Sequence, residues 1–215
     1  MAFIFAVHVP IAGLALLPLV LGLPILFGPI HIALLEMVID PVCALVFEAE
    51  RKETDIMKRR PRPPLEPLFS WRMIAWSVFQ GGIAFALLVT TFLIATYQEM
   101  PAAEVRALTF FGLIASILAL ILVNRSFSTS LWQALGRGNT ALRYVFAAVI
   151  AISALIMLVP QIQKLLRFGH LRGTDLGIAV ALGVTVFVIL EVLKPLAKRA
   201  ILDGSAQHNV SAAPT

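Results

Sequence analysis

The chain has 215 residues, of which 60% are hydrophobic and only 13% are charged, and its mean hydropathy is +0.93. Soluble domains carry about 25% charged residues, so this composition excludes an ordinary globular enzyme. It also excludes a disordered protein, which needs low hydrophobicity and high charge. The net charge of +5 comes from basic residues between apolar blocks. This placement indicates a lipid bilayer as partner and argues against nucleic acid, so we predict an integral membrane protein.

Six apolar blocks are long enough to cross a bilayer core of about 30 Å, which needs about 20 residues of helix. They run over about 2–21, 30–47, 72–97, 106–124, 141–160 and 175–194. We therefore predict an all-α fold, a polytopic transmembrane helical bundle of about six spans. The predicted parts are a first helix pair (1–47), a cytoplasmic basic linker (48–70), a four-helix membrane bundle (71–200) and a disordered tail (201–215).

Basic residues are distributed unevenly between the two faces of the predicted bundle. Thirteen of the 17 Lys and Arg residues fall at one face, and four (Arg106, Lys164, Arg167 and Arg172) fall at the other. The positive-inside rule makes the richer face cytoplasmic, and an even number of spans then places both termini in the cytoplasm. The first Lys or Arg is Arg51, so no cation orients the first block. We therefore expect the chain to begin inside a larger membrane region.

The second block contains two carboxylates, Glu36 and Asp40, followed at once by Pro41. A spacing of four places both carboxylates on one face of a helix. Each ionised carboxylate at the bilayer centre costs roughly 2.5–3.5 kcal/mol, and such residues usually serve a function. Pro41 removes an amide donor and disturbs the carbonyls one turn earlier, near Met37. Carboxylate and carbonyl oxygens together suit a hard cation such as Ca²⁺ or Mg²⁺, so this block predicts a cation or proton site.

Besides a cation or proton site, a purely structural explanation of these polar residues stays open. The carboxylates can belong to a hydrogen-bond network with Ser, Thr or His8, whereas an interhelical ion pair has no Lys or Arg at mid-span as partner. In the first block, His8 fits an ion ligand beside a backbone carbonyl that Pro10 frees near Ala6. It fits equally well a buried histidine bonded to the backbone, with Pro10 as a helix kink.

Three further pairs are predicted to be structural. Glu191 and Lys194 are spaced as an ion pair near the end of the sixth block. Asn124-Arg125 ends the fourth block as an interfacial cap. Gly81-Gly82 is expected to let two helices approach closely.

Short motifs follow one another along the chain in a fixed order. They are Gly22-Leu23-Pro24, Pro29, Asp40, Thr54-Asp55-Ile56-Met57, Arg60-Pro61-Arg62-Pro63-Pro64 and Glu66-Pro67-Leu68. In this order they resemble the C-terminal membrane region of the cation-pumping P-type ATPases, in the calcium-pump-like and related branches. The resemblance covers about residues 1–200 and is strongest over 22–70. It implies that the six spans correspond to the fifth to tenth membrane helices of that family.

The resemblance also implies roles for individual residues. Asp40 matches the family's central ion-binding aspartate, Glu36 falls where calcium pumps usually carry Asn, and His8 falls at a polar ligand position of the fifth helix. These three residues are the candidate metal ligands. The remaining oxygen set is poorer than that of a two-site calcium pump, which implies one site for Ca²⁺ or H⁺. Apolar residues stand at three positions where calcium pumps carry polar or ligating side chains: Ile11, Ile39 and Leu118.

A pump of this family also needs the phosphorylated aspartate of D-K-T-G-T, a T-G-E-S loop and a nucleotide-binding domain, which this sequence lacks. We therefore expect no catalytic residue, no bound cofactor and no ATP hydrolysis by the chain alone, with ATP and Mg²⁺ acting only through other domains. The resemblance implies the transport domain of a cation-translocating P-type ATPase, a fragment or split product that partners the N-terminal catalytic part. The alternative is a stand-alone membrane carrier or interaction subunit without ATP coupling. The family branch suggests a bacterial cell membrane.

Overall fold

The apolar blocks form helices. The computed structural model describes residues 2–41, 45–49, 71–125 and 140–211, with side chains for 3–39, 45–49, 71–125 and 140–195. No strand occurs within these ranges, which confirms the all-α prediction. The basic linker (48–70) lies outside the described residues except for its first two. The helices are α1 (Ala2–Val20), α2 (Pro29–Pro41), α3 (Trp71–Tyr97), α4 (Ala102–Arg125), α5 (Thr140–Leu158), α6 (Pro160–Leu165) and α7 (Gly173–Ser211).

Most of the predicted spans are long helices, and the second block differs. Within the described residues, five stretches are long and apolar enough to cross a membrane: Phe3–Val20, Trp71–Tyr97, Ala102–Arg125, Thr140–Leu158 and Gly173–Pro195. By contrast α2 has 13 residues, about 20 Å at 1.5 Å per residue, which is shorter than the bilayer core. Helical backbone is described again over 45–48. Positions 42–44 of the expected span over 30–47 lie outside the described residues.

The helix boundaries at the end of the chain also differ from the prediction. The backbone of α7 is helical as far as Ser211, well past the end of the sixth apolar block at 194. It therefore enters the segment 201–215 that the sequence predicts to be a disordered tail, and that disorder stays a prediction. The apolar part of α7 ends at Pro195, where the ring removes one helix hydrogen bond.

Helix α4 lies at the centre of the bundle. It packs most extensively against α7 and also against α3 and α1, while α1 packs mainly against α3. The side chains of Leu113, Ile117 and Leu120 on α4 are fully buried. A helix that is apolar on all sides is expected in such a position. Most of the surface of α5 is not buried against the other described residues.

Two glycines allow these helices to approach closely. A Cβ atom added at Gly183 on α7 would lie 2.8 Å from the Cβ and the carbonyl oxygen of Ala115 on α4. A Cβ atom added at Gly81 on α3 would collide with the Ala6 carbonyl oxygen and with Val9 on α1. A Cβ atom added at Gly82 would meet no atom of the described residues within 4 Å. The predicted close contact at Gly81-Gly82 therefore depends on Gly81 alone, as small residues do at membrane helix interfaces.

This difference gives a matched pair of variants. We expect Gly81→Leu to destabilise the bundle by about 1–3 kcal/mol, because the added side chain overpacks the α1–α3 interface. Gly82→Leu makes the same chemical change on an open surface and should leave stability close to that of the wild type. Thermal unfolding of the purified chain in detergent, followed by size-exclusion chromatography, measures both. Equal losses at the two positions would contradict the assigned interface.

Candidate functional site

The carboxylates of the predicted ion site lie on the short helix α2. Both Glu36 and Asp40 belong to its helical backbone, so their positions share one face with Cβ atoms about 5–6 Å apart. The side chain of Glu36 is half-buried between the core residues Leu35 and Ile39. The side chain of Asp40 lies outside the described residues. The helix therefore supports the shared face that the spacing predicts.

The surroundings of Glu36 bear on whether a hydrogen-bond network or an ion pair explains its carboxylate. No hydrogen bond or ion pair joins its carboxylate to another residue within the described part of the chain. Among the described side chains, no group of three His, Cys, Asp or Glu residues could hold a metal ion. The Asp40 carboxylate falls outside that search. The metal-site assignment of Glu36, Asp40 and His8 thus stays a prediction.

The third candidate, His8, lies on the outer surface of α1. Its imidazole Nδ1 is 2.7 Å from the carbonyl oxygen of Ile4, one turn earlier on the same helix, and the residue is exposed. This contact corresponds to the backbone-bonded alternative considered from the sequence. No hydrogen bond among the described atoms joins His8 to Glu36. Two residues before His8, the Ala6 carbonyl that Pro10 leaves without its helix donor lies against Gly81.

A buried histidine on α2 fixes the end of the bundle at which α2 and α4 begin. The His31 residue is 4% exposed, and its Nδ1 accepts a hydrogen bond from the Gly28 amide at 3.0 Å. Its Nε2 lies 2.8 Å from the carbonyl oxygen of Leu166. These two contacts fit a neutral imidazole that carries its proton on Nε2. The ring packs against Phe110 and Phe168, so it joins α2, α4 and the segment after α6.

A guanidinium on α4 strengthens the same junction. The Nε atom of Arg106 donates to the carbonyl oxygen of Leu26 at 2.9 Å, and Nη1 donates to that of Arg167 at 2.8 Å. A longer contact of 3.4 Å joins Nη2 to the carbonyl oxygen of Ile25. The Arg106 side chain thus donates hydrogen bonds to three backbone carbonyls from two loops. We call this group of contacts, made by His31 and Arg106, the loop junction.

A polar contact between Gln80 on α3 and Asn124 on α4 joins these two helices, and the sequence did not predict it. The Asn124 Nδ2 atom donates to Gln80 Oε1 at 2.7 Å and to the Leu120 carbonyl oxygen at 2.9 Å. Asn124 was expected to act as an interfacial cap, whereas it forms an interhelical hydrogen bond of the kind that joins membrane helices. Three buried atoms nearby have no hydrogen-bond partner among the described residues: Trp76 Nε1, Gln80 Nε2 and Asn124 Oδ1.

The predicted ion pair on the last helix is confirmed. The Lys194 Nζ atom lies 3.3 Å from Glu191 Oε2, and the two residues are three positions apart on α7. Both side chains are largely buried. The pair keeps a charged lysine compensated near the end of a membrane span, which is a structural role.

Comparison with known proteins decides the family. The sequence model described as "Cation transporting ATPase, C-terminus" matches residues 24–196, most of the chain. The chain belongs to this family. A calcium-transporting ATPase of Bacillus subtilis (strain 168) is 30% identical over 146 residues, which cover 67% of this chain and 16% of that protein. The chain thus spans about a sixth of the length of this relative.

The family match confirms the resemblance found from the motifs and places this chain among membrane domains of cation transporters. The matched region contains α2 with Glu36 and Asp40, the loop junction and the apolar part of α7. It begins after α1, so His8 precedes it. Within this family the chain is an integral membrane protein with several apolar spanning helices.

Proposed function

We propose that the chain is the membrane transport domain of a cation-translocating P-type ATPase and that α2 carries its ion site. The observation that supports this most strongly is Glu36, a half-buried carboxylate on a membrane helix without a described partner. A charged carboxylate within a membrane helix is costly. A transported cation that binds there would offset this cost.

The proposed site uses oxygen ligands from one face of α2. Glu36 and Asp40 offer up to four carboxylate oxygens, and Pro41 leaves the Met37 carbonyl without its helix donor. Ca²⁺ accepts six to eight oxygen ligands, including carbonyls and water. Calcium is our first choice because the relative of known activity is a calcium-transporting ATPase, and H⁺ is the second. His8 would become a ligand of this site only if its imidazole broke its contact with the Ile4 carbonyl oxygen.

Energy coupling is proposed to reside outside these residues. Phosphoryl transfer requires positioned phosphate-binding groups and Mg²⁺, and the sequence contains neither the phosphorylation motif nor the T-G-E-S loop. We assign ATP and Mg²⁺ to a catalytic part, in the same polypeptide or in a partner chain. The basic linker (48–70) would contact that part. The distribution of basic residues supports cytoplasmic termini, and the Bacillus relative supports a bacterial cell membrane.

Cation uptake into inverted vesicles from the native membrane distinguishes a pump from a passive carrier. We expect uptake of radioactive Ca²⁺ to require ATP and to fall to background in Asp40→Asn, because the site loses a charged ligand. Glu99→Gln, at an exposed carboxylate in the turn between α3 and α4, is the matched control and should retain uptake. Uptake that proceeds equally without ATP would contradict the proposal and support a stand-alone carrier. If ATP changed the signal of a pH-sensitive dye without Ca²⁺ uptake, the transported ion would be H⁺ and not Ca²⁺.

A further inference from the structure

An open cavity of about 520 Å³ lies beside the loop junction, at the end of the bundle where α2 and α4 begin. Its polar lining comes from Arg106, Arg167 and His31, and its apolar lining includes Ile30 and Leu165. We call it the arginine cavity. It lies at the membrane end opposite to the basic linker, because α2 and α4 begin where α1 and α3 end.

The arginine cavity carries positive charge without a described counter-charge. Arg106 uses three of its five N–H donors on backbone carbonyls, so two donors remain. The Arg167 side chain is exposed and forms no ion pair or side-chain hydrogen bond with a described residue. The acidic residue in the first turn of α4, Glu104, packs against Gly169 and does not line the cavity. Two guanidinium groups therefore favour an anion there and disfavour a transported cation.

The apolar lining indicates what kind of anion fits. Ile25, in the loop between α1 and α2, and Leu165, the last residue of α6, are 66% and 67% exposed beside the two arginines. A dissolved anion would contact only the arginines. A phospholipid would place its phosphate on the guanidiniums, which bind phosphate well, and its acyl chains along these apolar side chains.

We propose that the arginine cavity binds the phosphate group of an anionic membrane phospholipid. The net negative head group of phosphatidylglycerol satisfies both arginines, whereas the choline of phosphatidylcholine returns a positive charge to the same place. The bound lipid would hold the two loops of the loop junction together on the side of the membrane away from the basic linker. This site is separate from the carboxylates of α2, so it can be tested independently of cation transport.

Native mass spectrometry of the purified full-length chain, with phosphatidylglycerol and phosphatidylcholine added in equal amounts, tests the proposal. We expect selective retention of phosphatidylglycerol. Arg167→Gln should reduce that retention about fivefold, the effect of losing one basic residue near a charged lipid surface. The Arg167 carbonyl, which accepts from Arg106, remains in this variant. Lys164→Gln removes an exposed cation three residues earlier that does not line the cavity, and it should leave retention unchanged.

Two results would overturn the proposal. Equal retention by Arg167→Gln and the wild type, or an equal loss in Lys164→Gln, would mean that general surface charge and not the cavity binds the lipid. Displacement of phosphatidylglycerol by millimolar inorganic phosphate would mean that the ligand is a dissolved anion. A thermal unfolding curve of Arg167→Gln that matches the wild type shows that any loss of binding is not a loss of fold.

Discussion

Replacement of both α2 carboxylates, in the variant Glu36→Gln and Asp40→Asn, is expected to abolish Ca²⁺ binding by the purified chain. Each change keeps the shape of the side chain and removes the negative charge that a hard cation requires. The loss of two charged ligands from one site should weaken binding about 100-fold or more. Isothermal titration calorimetry measures the affinity. Far-UV circular dichroism should show unchanged helix content, because amides are cheaper than carboxylates in lipid.

The single variants and a control make this prediction specific. Glu36→Gln and Asp40→Asn should each weaken Ca²⁺ binding, because both carboxylates are proposed to bind the same ion. Glu48→Gln removes a carboxylate that is exposed and lies outside α2, and its affinity should equal that of the wild type. An unchanged affinity in the double variant would exclude α2 as the ion site.

Loss of the guanidinium at the loop junction is expected to destabilise the bundle. Arg106→Gln cannot reach the carbonyls of Leu26 and Arg167 together, so at least one of these groups loses its donor. Hydrogen bonds to charged groups contribute about 1.5–3 kcal/mol each, and an unsatisfied buried partner adds to the loss. We therefore expect a destabilisation of about 2–4 kcal/mol, measured by thermal unfolding in detergent free of anionic lipid.

The control for this variant is another cation at the same end of the bundle. Arg172→Gln removes the charge of an exposed residue whose described hydrogen bonds are all made by its backbone amide and carbonyl, to Asp175 and Leu176. It should unfold at nearly the same temperature as the wild type. Similar unfolding temperatures for Arg106→Gln and Arg172→Gln would show that the contacts of Arg106 do not hold the two loops.

Features that depend on local sequence were predictable. Long apolar blocks predicted spanning helices because the bilayer fixes their length, and the spacing of Glu191 and Lys194 predicted their ion pair because residues three apart are neighbours on a helix. The ordered motifs over 22–70 predicted the family that the sequence comparison confirms. The role of Gly81 was predicted, whereas Gly82 was included because the sequence does not show which glycine faces α1.

Contacts between distant segments were not predictable. His31 and Leu166 are 135 positions apart, and Gln80 and Asn124 are 44 apart. Such pairs follow from how the helices pack, and apolar membrane helices give little sequence pattern from which to read that packing. The same limit applies to His8, because α1 is apolar on all sides and its inward face is not marked. Glu36 was selected as a candidate ligand because an isolated acid within an apolar block stands out without packing information, and its role stays a prediction.

Infrared difference spectroscopy of the purified chain tests the central claim most directly, because it observes the carboxylates themselves. Adding Ca²⁺ to the wild type should shift the carboxylate stretching bands as Glu36 and Asp40 bind the ion, and the shift should vanish in Glu36→Gln with Asp40→Asn. Ca²⁺ addition that gives identical difference spectra in the wild type and the double variant would contradict an ion site on α2.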